Sequence, residues 1–173
     1  MKTWIVSDTH FGHRFMTEAG YRPDDYEKRI LDSWARDVKD EDTVLHLGDL
    51  AFKPSTPIGQ TIQQLPGSKI LILGNHDHGY DRYLGYGFNA VFKMTYLERF
   101  GKKIYFSHEP MKIPSDSQYL NLHGHLHGND HRLQDDLVWY KDRDPKQYID
   151  MSAECMDYKV KSLESVIRKL SRE

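Results

Sequence analysis

Three histidines alternate within the segment NLHGHLHGND, at positions 123, 125 and 127. Side chains two residues apart on a β-strand point to the same face of the sheet. Imidazole nitrogens are common metal ligands, and they carry protons near neutral pH. The spacing therefore indicates a chemical site on this face, and it leaves open whether all three histidines serve that site.

Carboxylate, imidazole and amide side chains also follow four other segments that have the composition of β-strands. They stand in the sequences SDTH, GD, GNHD and SH. Ligands of open α/β sheets bind outside the carboxyl ends of the strands, so these groups are expected at one edge. Neighbouring glycines permit tight turns and close backbone approach. The predicted edge carries Asp8, His10, Asp49, Asn75, His108, His125 and His127.

These seven side chains offer oxygen and nitrogen ligands and no thiolate, a set that suits Mn, Fe, Zn or related ions. They suffice for two ions if one carboxylate bridges them. Two ions about 3.5–4 Å apart can clamp a phosphoryl group and activate water. Asp and Asn favour turns in any case, but a coincidence of turn residues accounts for one or two of the positions and not for seven.

The same motifs resemble those of the calcineurin-like metallophosphoesterases, in particular a compact bacterial and phage-type branch of that superfamily. Each motif alone is unspecific, whereas five in the family's order, each after a predicted strand, are specific. The resemblance spans residues 8–127. The motifs that carry it are Asp8-x-His10, Gly48-Asp49, Gly74-Asn75-His76-Asp77, His108 and Gly124-His125-x-His127.

The resemblance implies a binuclear centre with a defined division of ligands. The first ion would take Asp8, His10 and His127, and Asp49 would bridge the two ions. The second ion would take Asn75, His108 and His125. The resemblance predicts Mn first, with Fe, Zn or Ni as alternatives.

Catalytic roles are also implied by the resemblance. His76 would lie beside the scissile phosphate, where it stabilises charge or protonates the leaving oxygen. Asn75 would both bind an ion and hold phosphate oxygens, and Asp77 would orient His76. Outside the motifs, His13 and Arg14 are candidate substrate contacts, since a guanidinium matches phosphate geometry; solvent exposure is the alternative for both.

Two further histidines lie outside the ligand set that the resemblance implies. His46 and His123 lie inside predicted strands. Both are predicted to be packed or supporting side chains rather than ligands.

The function implied is hydrolysis of a phosphoester by attack of a metal-bound hydroxide. A phosphodiester is favoured, because a chain without an appended cap domain leaves an open site. A nucleotide-derived compound is one candidate substrate. A phosphomonoesterase, a nuclease and a metal-binding interaction scaffold of the same fold are the alternatives. The near-neutral net charge of −2 does not favour nucleic acid as the partner, and the oligomeric state stays open.

The elements that position these groups fit one α/β domain over residues 1–173. Apolar runs bounded by turn residues predict strands at 3–6, 43–47, 69–73, 90–94, 95–100, 103–107 and 119–123. Helices are predicted from Asp24, with Glu27 completing a capping box, at 58–65, and after Ser162. The pattern indicates early βα units followed by antiparallel strands and a loop at 128–147.

The resemblance sharpens the fold to a four-layer α/β/β/α sandwich of two mixed sheets flanked by helices. The chain has one cysteine and no apolar run near the roughly 18 residues of a membrane helix. Its first residues do not read as a signal peptide. A cytoplasmic protein without a membrane partner is therefore expected.

Overall fold

The computed structural model describes residues 1–53, 55–129 and 135–170. Two sheets form the middle of the molecule. The strands are β1 (Thr3–Val6), β2 (Thr43–His46), β3 (Ser68–Ile72), β4 (Ala90–Phe92), β5 (Met94–Arg99), β6 (Lys102–Ser107), β7 (Tyr119–His123), β8 (Tyr148–Asp150) and β9 (Lys161–Ser162). The helices are α1 (Phe15–Glu18), α2 (Tyr26–Asp37), α3 (Thr56–Gln64), α4 (Tyr80–Gly85), α5 (Leu163–Leu170) and a 3-10 helix at Asp135–Asp142.

The first sheet has the strand order β4-β3-β2-β1-β9. Its first four strands are parallel, and β9 pairs with β1 in the antiparallel direction. Strands β1, β2 and β3 are mostly apolar and buried, as in most parallel sheets, because cores lie on both faces of this part of the sheet. Val44 and Leu71 pack with Ile30 and Trp34 of α2 in one core.

A second core lies between the two sheets. Ile5 and Leu45 of the first sheet pack there with Phe106 and Leu122 of the second. The second sheet has the order β5-β6-β7-β8. Helix α2 packs against the first sheet, and α5 packs into the second core through Leu163, Val166 and Ile167. The predicted fold of two mixed sheets flanked by helices is confirmed.

The second sheet departs from the expectation that the later strands would be antiparallel. Among the described strands of this sheet, only β5 and β6 pair in the antiparallel direction, and β6, β7 and β8 are parallel. The predicted hairpin turn is present, with Phe100 (φ 56°) and Gly101 (φ 69°) in the left-handed region that tight hairpins need. The link between β6 and β7 is 11 residues long. It returns the chain to the end of the sheet at which β6 begins, so that β7 can run parallel to β6, and a two-residue turn cannot do this.

Some helix signals were wrong and others were confirmed. The capping box is wrong: α2 begins at Tyr26, and its N-cap, Asp25, makes no side-chain capping bond. The Glu27 carboxylate instead accepts hydrogen bonds from the Gly12 N–H (2.8 Å) and the Tyr26 hydroxyl (3.1 Å), tying the loop after β1 to the helix. Ser162 does cap α5, since its hydroxyl accepts the Ser165 N–H.

The predicted loop at 128–147 contains the 3-10 helix at Asp135–Asp142, and residues 130–134 of that loop lie outside the described part of the chain. Strands β8 and β9 were not predicted. They are three and two residues long, so pairing with a neighbour defines them more than composition does. Within the described ranges, no helix is both long and apolar enough to cross a membrane.

Candidate metal centre

The seven predicted ligands all lie beyond the carboxyl ends of five strands, β1, β2, β3, β6 and β7. Five of the seven have a left-handed backbone: Asp8 (φ 53°), His10 (45°), Asp49 (53°), His125 (71°) and His127 (54°). Such conformations are uncommon for residues other than glycine, and they persist where the surroundings enforce them. The backbone of the loops at this edge of the sheet is therefore strained, as the backbone of functional sites often is.

Hydrogen bonds between neighbouring loops hold this backbone. The Asp8 N–H donates to the Gly48 carbonyl (2.9 Å), and the His10 N–H donates to the Asp49 carbonyl (3.0 Å). The His125 N–H donates to both carboxylate oxygens of Asp8, at 3.1 Å each. The loops after β1, β2 and β7 thus fix one another.

Three glycines allow the ligand loops to approach this closely. A Cβ on Gly124 would stand 2.1 Å from Asp8 Oδ2, and one on Gly74 would stand 2.1 Å from Asp49 Oδ1. A Cβ on Gly48, whose φ is +100°, would stand 2.6 Å from a ring nitrogen of His108. Any side chain at these positions would displace a ligand.

Asp8, His10 and His127 converge as the first predicted ligand group. His127 Nε2 lies 3.4 Å from Asp8 Oδ1, and His10 Nε2 lies 4.0 Å from the same oxygen. His10 Nε2 is also 3.6 Å from Asp49 Oδ2. These are separations that ligands of one ion adopt.

Asn75, His108 and His125 converge as the second group. Asn75 Oδ1 lies 2.9 Å from His108 Nε2 and 3.1 Å from His125 Nδ1. His108 Nε2 lies 3.6 Å from Asp49 Oδ2, the oxygen that also faces His10. Asp49 Oδ2 therefore stands between the two groups, where a bridging carboxylate would be.

The protonation of the imidazoles fits metal binding. His108 Nδ1 donates to the Leu47 carbonyl (2.9 Å), so in the neutral ring Nε2 presents a lone pair to Asn75 Oδ1. Burial lowers the pKa of His10 and of His125, which favours the neutral, ligating form of both. Burial raises the pKa of Asp8. Lone pairs thus converge where a cation would satisfy them, and two carboxylates, four imidazoles and an amide oxygen fit two ions.

His76 stands at the mouth of the centre rather than within either group. Its Nε2 lies 4.0 Å from Asp49 Oδ2, and its side chain is 57% exposed. The His76 N–H donates to Asp49 Oδ1 (3.0 Å), which fixes the position of this residue relative to both groups. The imidazole is therefore accessible to a substrate.

Asp77 differs from the expectation that it would orient His76. Its carboxylate is buried and accepts hydrogen bonds from three backbone N–H groups and a hydroxyl. The donors are the Asp49 N–H (2.7 Å), the Gly74 N–H (2.9 Å), the Leu50 N–H (3.2 Å) and the Tyr83 hydroxyl (2.9 Å). These bonds position the loops that carry Asp49 and His76, and none of those described reaches the His76 ring.

His13 and Arg14 lie beside the centre in the loop after β1. The His13 ring stacks on Phe52, with centroids 4.0 Å apart and an interplanar angle of 11°, and its centroid lies 5.8 Å from that of His10. Arg14 is exposed. Both line a groove of about 540 Å³ together with Phe15, Phe52 and Lys53.

The two histidines predicted to be packed are both fully buried. His46 accepts the Gly48 N–H through Nδ1 (3.2 Å) and contacts the Thr9 hydroxyl through Nε2 (2.9 Å). Burial lowers the pKa of His46 to about 3. His123 contacts the Tyr140 hydroxyl (2.7 Å) and the Gly124 carbonyl (2.9 Å). These partners occupy the ring nitrogens of both residues.

Two residues that sequence reasoning missed lie behind His127. Glu154 Oε1 accepts a hydrogen bond from His127 Nδ1 (2.9 Å), and the buried Arg22 donates to the same oxygen (2.8 Å). Burial opposes ionisation of Glu154, but the hydrogen bond from His127 and the charge of Arg22 lower its pKa to about 2. No motif marks either residue, so only the fold reveals them.

Comparisons with known proteins agree with this geometry. A family profile described as "Calcineurin-like phosphoesterase" matches residues 1–159. The uncharacterized protein MJ1445 of Methanocaldococcus jannaschii is 29% identical over 184 residues, which cover 99% of this chain and 92% of that protein. The gene 66 protein of Mycobacterium phage L5 is 39% identical over 83 residues, 43% of this chain and 39% of that protein. The crystal structure of AQ665, a protein of unknown function from Aquifex aeolicus, has a TM-score of 0.75 at 30% identity and covers 98% of both chains.

Proposed function

We propose that this chain, which belongs to the calcineurin-like phosphoesterase family, is a metal-dependent hydrolase that prefers phosphodiesters. The observation that carries the proposal is the convergence of seven ligands in two groups that share Asp49, with His76 exposed beside them. When bound, two ions supply Lewis-acid activation of water and of the phosphoryl group. Mn is the ion proposed first, and Fe, Zn and Ni suit the same donors.

The residues of the chain hold the substrate and manage its protons. Asn75 is exposed, and with Oδ1 turned to His108 and His125 its amide NH₂ remains to donate to a phosphate oxygen. His76 donates a proton or a hydrogen bond to the departing ester oxygen, the role of a general acid. Its backbone bond to Asp49 keeps it at a constant distance from the centre.

The groove lined by His13, Arg14, Phe15, Phe52 and Lys53 could accommodate a second ester group larger than a methyl. Phe15 is 58% exposed and Phe52 is 37% exposed, so both present aromatic surface to an entering group. A nucleobase stacks on such surfaces, and Arg14 and Lys53 supply positive charge beside them. We therefore propose a nucleotide-derived diester as the substrate class, with His13 and Arg14 as substrate contacts.

Openness at the mouth is the physical reason to favour a diester. Asn75 and His76 are both exposed, so a second ester group can extend outward without displacing protein. A polymeric nucleic acid is not favoured, because a net charge of −2 gives no general attraction to a polyanion.

The test is hydrolysis of two chromogenic esters by chain stripped of metal and reloaded with Mn, Fe, Zn or Ni in turn. We expect a higher kcat/KM for bis-p-nitrophenyl phosphate than for p-nitrophenyl phosphate, and loss of both activities in EDTA. Asp49→Asn, which removes the shared charge, is the inactive control. Absence of hydrolysis with every metal, in a chain that binds two ions, would instead support a metal-binding scaffold. A preference for the monoester would overturn the substrate class.

A further inference from the structure

The two ligand groups differ in the hydrogen-bond partner of one histidine in each, at the ring nitrogen that points away from the other ligands. His108 of the second group donates from Nδ1 to a backbone carbonyl, that of Leu47 (2.9 Å). His127 of the first group donates from Nδ1 to the carboxylate of Glu154 (2.9 Å). A carboxylate raises the basicity of the opposite ring nitrogen more than a neutral carbonyl does. Of these two histidines, only the one in the first group, His127, donates to a charged partner.

Arg22 fixes the position of the Glu154 carboxylate. Its Nε donates to Glu154 Oε1 (2.8 Å), and its side chain is fully buried. Its terminal nitrogens donate to the carbonyls of Asp8 (2.8 Å) and Thr9 (3.2 Å), and its guanidinium lies 4.8 Å from the ring of Tyr26. The guanidinium therefore connects Glu154 to the backbone of the ligand loop after β1.

The hydrogen bond also fixes the tautomer of His127. Glu154 Oε1 is nearer to His127 Nδ1 (2.9 Å) than Arg22 Nη2 is (3.3 Å), and a carboxylate only accepts, so Nδ1 carries the proton. Nε2 then presents its lone pair to Asp8 Oδ1, 3.4 Å away. The other oxygen of Glu154, Oε2, is buried without a hydrogen-bond partner among the described residues. A buried oxygen without a hydrogen-bond partner costs free energy. A carboxylate that served only to pair with Arg22 could use both of its oxygens, so the observed orientation of Glu154 favours a role toward His127.

We propose that Glu154 is a positioning residue that orients and polarises His127, and so sets the affinity of the first ion selectively. The inference rests on the metal centre of the proposed function and not on hydrolysis. Removal of such a partner typically weakens metal binding about 10- to 100-fold. The second group, in which the Leu47 carbonyl holds His108, should be unaffected.

The experiment is a titration of metal-free chain with Mn²⁺, with free Mn²⁺ measured by its EPR signal. Glu154→Ala should weaken one of the two sites about 10- to 100-fold and leave the other unchanged. Glu154→Gln should weaken the same site less, because the amide oxygen still accepts from His127 and Arg22. Glu164→Gln, an exposed carboxylate paired with Arg168, is the matched control and should bind as wild type does.

A double-mutant cycle with His127→Ala separates positioning from a structural role. If Glu154 acts through His127, Glu154→Ala should add little to the loss that His127→Ala causes. The proposal would be overturned if the losses of Mn²⁺ affinity in the two single variants were additive, or if both sites were weakened equally. Wild-type dissociation constants at both sites in both Glu154 variants would also overturn it. Urea unfolding of the metal-free variants checks that they fold, and Glu154→Gln carries the test if Glu154→Ala does not. A wild-type chain that binds two ions and hydrolyses no ester would overturn the proposed function only.

Discussion

The carboxylate of Asp77 accepts a hydrogen bond from the backbone N–H of Asp49, 28 residues earlier in the chain, at 2.7 Å. The same oxygen accepts the N–H of Gly74, so one carboxylate joins the loops after β2 and β3. The first loop carries the shared ligand, and the second carries Asn75 and His76. The acid of the GNHD motif therefore acts on the backbone that places these groups.

Asp77→Asn should loosen this junction. The carboxamide keeps the shape of the side chain, but its NH₂ group then faces the backbone N–H donors or the hydroxyl of Tyr83. A buried donor left without an acceptor costs about 1–3 kcal/mol, so the free energy of unfolding in urea should fall by that amount. The exposed Asp81→Asn is the control, with a change of at most about 0.5 kcal/mol. Wild-type stability and metal binding in Asp77→Asn would show that Asp77 does not hold the loops after β2 and β3 together.

Family and fold were predictable because the ligands follow apolar runs, and both were confirmed. A run such as KILIL must be buried, and a parallel strand delivers the residues after it to one edge of the sheet. The positions of the apolar runs therefore sufficed to predict that Asp8 and Asn75 follow strands that end at the same edge of the sheet. The separation of His123 from His125 also follows from position, since His123 is the last residue of β7 and its ring is buried.

What the sequence did not reveal depends on contacts between distant segments. Glu154 lies 27 residues after His127, and Arg22 lies 132 residues before Glu154. No local pattern encodes either distance. The left-handed conformation of five ligands is equally hidden, because Asp and His adopt it only when tertiary contacts enforce it. The parallel pairing of β6 with β7 was missed for the same reason.

His76→Ala should abolish most hydrolysis without changing the number of bound ions. Its Nε2 lies 4.0 Å from Asp49 Oδ2 and belongs to neither ligand group. Loss of a general acid lowers kcat about 10²- to 10⁴-fold. The measurement pairs kcat for bis-p-nitrophenyl phosphate with the metal content of the purified variant. His78→Ala, an exposed neighbour, should retain wild-type kcat; loss of an ion from His76→Ala would make His76 a ligand instead.

Metal removal should lower the thermal stability of the chain. The converging lone pairs of Asp8, Asp49 and His108 repel one another without a cation, and an ion binds them only in the folded state. Mn²⁺ at about 100 times its Kd adds about 2.7 kcal/mol for one site. For a domain of this size, that corresponds to a Tm increase of about 5–10 °C over chain in EDTA. Calorimetry with and without EDTA measures the shift, which should shrink in Asp49→Asn.

The strained backbone at His125 predicts that glycine is more stabilising than alanine there, the reverse of their order within a helix. Its φ of 71° suits glycine, whereas alanine places a Cβ in the left-handed region. In metal-free chain, His125→Gly should therefore be more stable than His125→Ala by about 1 kcal/mol. At Gln60, exposed within α3, the order should reverse by about 1 kcal/mol. Urea unfolding of the four variants gives both differences; the same order at both positions would mean that the turn relaxes when the imidazole is removed.

Asp42 gives the stability of metal-free chain a pH dependence away from the metal centre. Burial alone would raise the pKa of Asp42. Hydrogen bonds from the Trp4 indole (2.9 Å) and the backbone N–H groups of Lys2 (2.6 Å) and Lys39 (3.2 Å) outweigh burial and lower the pKa below its ordinary value. The unfolded chain therefore binds the proton more readily than the folded chain. The stabilisation is complete above the unfolded pKa and is lost as the pH falls through the folded one.

Asp42→Asn should accordingly be less stable than wild type at about pH 7, and its stability should fall less between about pH 5 and pH 3. Urea unfolding of metal-free chain at these pH values measures both slopes. Asp40→Asn is the matched control, because Asp40 is exposed two residues away, and its slope should follow that of wild type. Parallel wild-type and Asp42→Asn curves over the whole range would show that the three hydrogen bonds to Asp42 do not discriminate between its charged and neutral forms.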